Sequence, residues 1–110
     1  MKKIYNKLIR DKIPQIIEQD GERAKIRILN QKDFVVELKK KVMEESKELV
    51  EAVKKDEVTN EIIDISELLE WLIKAFQLRK SSIEKSKKDK NKKRGSFKKR
   101  LFLEYTETKK

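Results

Sequence analysis

From residue 31 onward the apolar positions recur with helical spacing. Phe34, Leu38, Val42, Leu49 and Ala52 fall on one stripe at 100° per residue. This predicts a helix over residues 31 to about 54, with Asn30 as its N-cap. Lys54-Lys55-Asp56 interrupts the pattern. Val58, Ile62, Ile65, Leu68, Leu69, Leu72 and Phe76 then predict a second helix over residues 57 to 78. Upstream, Asp11 and Pro14 can open a short helix through Glu18, because proline suits a first turn. Asp20-Gly21 marks a turn. Residues 24–29 alternate Lys25 and Arg27 with Ile26 and Ile28, the period of a short strand. Residues 100–105, with Leu101, Phe102 and Leu103, read as a second short strand able to pair with the first. A polar helix is expected over residues 82–93, ended by Gly95. The fold class is therefore mainly α, an antiparallel helical hairpin or bundle with one or two short peripheral strands. No repeat and no long linker divides the chain, so a single domain over residues 1–110 is expected, basic segment 81–110 included.

Composition narrows the chemistry. Leu, Ile, Val and Phe make up 32 of 110 residues, enough for a modest core in a chain whose charged fraction is 45% against about 25% in an average globular protein. With no Cys and no His, the chain has no disulfide, thiol nucleophile, histidine triad or ordinary zinc site. Hydrolytic chemistry must use carboxylates, lysines, hydroxyls or a metal held by oxygen. No apolar run reaches the ~18 residues of a membrane span, and the start Met1-Lys2-Lys3-Ile4 lacks the apolar core of a signal peptide. A cytoplasmic protein is the expectation. Of the net charge of +10, residues 81–110 contribute +8. Such a run either binds phosphates or is a solvated segment.

Four acids stand where apolar residues belong. Stepping along the first stripe by three or four residues lands on Glu45, with Glu48 on its flank. The second stripe, 58, 61, 65, 68, 72, lands on Glu61, with Asp64 at its edge. Glu67 and Glu70 point away and read as solvated surface. An ionised carboxylate on a core face costs several kcal/mol unless it is paired or coordinates a metal. Both pairs lie roughly 6–9 Å from the turn at 1.5 Å per residue, so in an antiparallel hairpin they converge. They either pair with lysines at a bundle edge or share a hard divalent cation such as Mg²⁺, with Mn²⁺ as a substitute. Trp71 and Phe76 are expected in the core or at a subunit contact. The second helix also carries apolar residues off its seam, Trp71 and Leu78, so a homodimer or homotetramer is expected.

The chain resembles the MazG-like, all-α nucleoside triphosphate pyrophosphohydrolases. The residues that carry the resemblance are Glu44-Glu45-Ser46-Lys47-Glu48 and Glu61-Ile62-Ile63-Asp64, matching that family's Glu-Glu-x-x-Glu and Glu-x-x-Asp motifs. More narrowly it is similar to the small phosphoribosyl-ATP pyrophosphohydrolase-like branch. Tyr5-Asn6-Lys7-Leu8-Ile9-Arg10-Asp11-Lys12-Ile13-Pro14 matches that branch's opening segment, and Lys93-Arg94-Gly95-Ser96-Phe97 its closing one, with Ser96 in place of a second glycine. The resemblance implies cleavage between the α and β phosphates of a nucleotide, releasing pyrophosphate. It implies that Glu45, Glu48, Glu61 and Asp64 hold Mg²⁺ and that Glu44 positions or deprotonates water. Phosphoryl chemistry is mostly positioning and charge neutralisation, so cations are needed as well. Lys7, Arg10, Lys12, Lys93, Arg94 and Arg100 are the phosphate-binding candidates, with Arg10 and Arg94 preferred because a guanidinium can fork onto phosphate oxygens.

The rival reading is a non-enzymatic helical module that contacts nucleic acid nonspecifically through residues 85–100. Few aromatics interleave there, which disfavours a stacking platform for single strands. A helical hairpin that merely dimerises is a further rival, but it has no reason to bury acids on its seam.

Overall fold

In the computed structural model, which describes residues 1–109, the chain is helical: α1 (Ile13–Gln19), α2 (Gln31–Glu51), α3 (Lys55–Ala75) and α4 (Lys80–Arg94). It forms two compact units, Met1–Gln77 and a second from Leu78 onward. The first is built on an α2–α3 hairpin, as the two apolar stripes predict.

Local chemistry sets the hairpin's ends. Asn30 is extended, and its side-chain oxygen accepts from the Asp33 N–H at 2.8 Å, satisfying one of the donors that a helix start leaves free. At the other end α2 stops at Glu51, and extended backbone at Ala52 and Lys54 reverses the chain. The turn is shorter than the charge pattern suggests, and α3 begins at Lys55. There the Glu57 carboxylate accepts from the Lys54 backbone N–H at 3.0 Å, while Asp56 and Glu57 place negative charge at the positive end of the helix dipole.

Three contacts define the register. Gln31 Nε2 donates to the Ala75 carbonyl at 3.0 Å. Phe34 and Trp71 meet edge to face, with ring centroids 6.4 Å apart. Nearer the turn, Glu45 lies opposite Glu61. Leu38, 2% exposed, is the one buried apolar side chain among the described residues. Phe34, Val42, Leu49 and Ala52 on the first stripe and Val58, Ile65, Leu68 and Leu72 on the second are half-buried, whereas Ile62 and Leu69 are exposed. Trp71 and Phe76 do not fill a core: both are exposed, and Lys74 and Lys39 lie over their respective rings.

Two expected strands do not form among the described residues. Alternation in residues 24–29 selects two faces but supplies no hydrogen-bonded neighbour, and a strand without a ladder leaves its backbone to water. Ile26 and Ile28 are accordingly exposed. In residues 100–105 the first position, Arg100, has φ of 56°, outside the extended region. In the second unit α4 has every side chain exposed. Gly95, at φ 82°, follows it, a left-handed conformation that glycine adopts without Cβ strain. Among the described residues no helix is long and apolar enough to cross a membrane.

Candidate metal centre

The hairpin register decides which acids meet. Glu45 lies six residues before the end of α2, and Glu61 six after the start of α3. Both are therefore about 9 Å from the turn. Asp64 follows Glu61 on the same face, one helical turn further on. One carboxylate oxygen from each of Glu45, Glu61 and Asp64 lies within 4.8 Å of the others. Glu48 sits nearer the turn, exposed and outside this trio, although its carboxylate approaches Glu45. Glu44 is on the outer side of α2, 3.9 Å from Lys41 Nζ.

Burial makes the cluster expensive. Glu45 is 8% exposed, and Oε2 of both Glu45 and Glu61 is buried with no hydrogen-bond partner. The nearest cation to Glu45 is Lys41, at 3.9 Å from Oε1, too long for a hydrogen bond. A proton shared with the facing Glu61 carboxylate, then burial, then Glu48 push the Glu45 carboxyl up from 4.5 to about 8. Without a cation the site therefore keeps a proton on Glu45 through much of the neutral range.

Arg10 completes the surroundings. Its Nη2 donates to Asp64 Oδ1 at 2.8 Å, joining the chain's opening segment to α3 across 54 residues of sequence. Among the other cation candidates, Lys7 lies 5.9 Å from the Tyr5 ring centroid, and Lys12 is the exposed N-cap of α1. Lys93, Arg94 and Arg100 are exposed in the second unit.

Periodicity signalled Glu45, Glu61 and Asp64, but not the Arg10–Asp64 pair, which no local spacing encodes. Lys41 was available from its i,i+4 relation to Glu45. Glu67 and Glu70 are half-buried rather than solvated, and Glu67 accepts from Trp71 Nε1 at 2.9 Å, another i,i+4 pair.

The donor set is all oxygen, carries excess negative charge and leaves two buried oxygens unpartnered. A hard divalent cation with some retained water suits such a set. No family model, curated protein or solved structure matches the chain, so the family resemblance rests on the motif residues alone.

Proposed function

We propose that the chain is a Mg²⁺-dependent nucleotide pyrophosphohydrolase of the MazG-like kind. It would cleave the α–β phosphoanhydride of a nucleoside triphosphate or related nucleotide to the monophosphate and pyrophosphate. The observation that carries this reading is the pair of buried, unpartnered carboxylate oxygens on Glu45 and Glu61, beside Asp64 on the hairpin seam. Structural acids fully paired with lysines would not leave the Oε2 of each buried without a donor.

In this reading Glu45, Glu61 and Asp64 hold Mg²⁺ (or Mn²⁺), and Glu48 reaches in from the turn side. Bound there, Mg²⁺ would supply neutralising charge for the carboxylates and polarisation of the phosphate oxygens. The resemblance gives Glu44, which lies outside the trio, the part of orienting or deprotonating the attacking water. Arg10 is the phosphate-binding cation that the geometry favours, since it already stands beside Asp64. Lys7 and Lys12, in the same unit, remain candidates for the rest of the polyphosphate. A homodimer or homotetramer belongs to the same proposal, because Ile62, Ile63, Leu69 and Trp71 leave α3 with exposed apolar surface.

The test is pyrophosphate release across a panel of standard, deoxy- and damaged nucleoside triphosphates, with and without Mg²⁺. The proposal expects release from at least one of them, dependent on Mg²⁺; no release from any would refute it.

The exposed α4 favours a second reading, nonspecific nucleic-acid contact through residues 85–100. Such binding would weaken steeply between 50 and 200 mM salt, by about tenfold or more for a few phosphate contacts. Lys90→Ala would weaken it without altering pyrophosphate release.

A further inference from the structure

Arg10 stands at the edge of the carboxylate cluster with one end anchored and the other in water. Its side chain is 58% exposed, against 29% for Asp64. The Arg10 carbonyl accepts from the Ile13 N–H at 3.1 Å, so the backbone that carries it is tied to the first turn of α1, where Pro14 restricts the chain. A guanidinium has five N–H donors, and Asp64 is its one charged partner among the described residues.

That position gives Arg10 opposite effects on two ligands. Toward a bare divalent cation it is unfavourable. It puts a positive charge beside the cluster and holds an Asp64 oxygen that the ion would otherwise use. Toward a cation that arrives with phosphates it is favourable. The added negative charge offsets the repulsion, and the solvent-facing N–H groups can fork onto phosphate oxygens while one stays on Asp64.

We propose that Arg10 makes the Glu45–Glu61–Asp64 cluster selective for a divalent cation delivered on a polyphosphate over the same cation alone. The inference rests on the reading of the cluster as a divalent-cation site. It adds that the ion and the phosphates bind as coupled ligands, with Arg10 as the coupling residue.

The experiment measures binding of the full-length protein to Mn²⁺ alone, by electron paramagnetic resonance. It also measures binding to Mn²⁺ complexed with methylenediphosphonate, a non-cleavable two-phosphonate probe, by calorimetry. The wild type should bind the complex at least about tenfold more tightly than the bare ion. Arg10→Ala should tighten bare Mn²⁺ by about three- to tenfold, since a neighbouring positive charge is gone, and loosen the complex by about tenfold or more. Arg10→Lys should keep the wild-type affinity for bare Mn²⁺ and recover only part of the affinity for the complex, because it restores the charge without the fork. Equal weakening of both ligands by Arg10→Ala would make the arginine a mere prop for Asp64 and overturn the proposal, as would no change in either. A wild type that binds neither ligand would overturn the metal reading itself, and that failure is visible before any variant is made.

Discussion

Glu45 places a titratable group where burial and two neighbouring carboxylates all oppose its charge. With its carboxyl raised to about 8, the folded protein holds a proton that the unfolded chain releases near 4.5. Stability of the ion-free protein should therefore be greatest at the acid end of that window and fall as pH rises toward 8. The groups that face it are Glu48, Glu61 and Asp64, against Lys41 and the Arg10 held on Asp64. The fall should be on the order of a few kcal/mol. Urea unfolding from pH 5 to 8.5 in chelator checks it: Glu45→Gln should flatten the profile, and parallel profiles for the two proteins would contradict the account. Glu45 and Glu61 were legible in the sequence because helical periodicity names the face on which a residue stands. Arg10 on Asp64 was not, because a contact between distant segments depends on where α1 and its approach settle, which no spacing encodes.

At the scale of the element, the α2–α3 hairpin rests on few interior contacts. Leu38 is 2% exposed, so Leu38→Ala should cost about 2–5 kcal/mol, a large share of a small domain's stability. Asn30→Ala should cost about 1 kcal/mol by removing the bond to the Asp33 N–H. Equilibrium denaturation measures both, and a loss at Asn30 exceeding that at Leu38 would contradict this view of the hairpin. Both long helices and the Asn30 cap were readable from pattern, because 3.6-residue periodicity and cap chemistry are local. The strands expected at residues 24–29 and 100–105 failed because alternation specifies faces but not a partner. The turn differs from the pattern for a related reason: Lys54-Lys55-Asp56 interrupts the apolar stripe, but the reversal lies at residues 52–54, and Lys55 and Asp56 already belong to α3, where Asp56 and Glu57 suit the positive end of the helix dipole.

Across the whole chain, apolar surface exceeds what the described residues bury. Ile62, Ile63, Leu69 and Trp71 on α3 are all exposed. The homo-oligomer proposed above would bury part of that surface. Light scattering at micromolar concentrations should give a dimer or tetramer, and Leu69→Lys should shift it toward monomer; a wild type that stays monomeric throughout would count against it. The second unit is different in kind. Its helix is charged on every side, and its charge excess was plain in composition, whereas the apolar residues after Gly95 gave a strand-like pattern that the backbone does not follow.

The central claim is that the seam acids exist to hold a catalytic cation. The direct measurement is pyrophosphate release by Glu61→Gln and by wild type at saturating Mg²⁺, alongside melting of both proteins with and without the ion. Glutamine keeps the side chain's shape and removes a charge that opposes Glu45. The account predicts ion-free stability equal to or above wild type, loss of the stabilisation by Mg²⁺, and pyrophosphate release lower by on the order of a hundredfold or more, as for removal of a principal electrostatic group. Undiminished release by Glu61→Gln, with the measured activity abolished instead by Lys90→Ala, would contradict it.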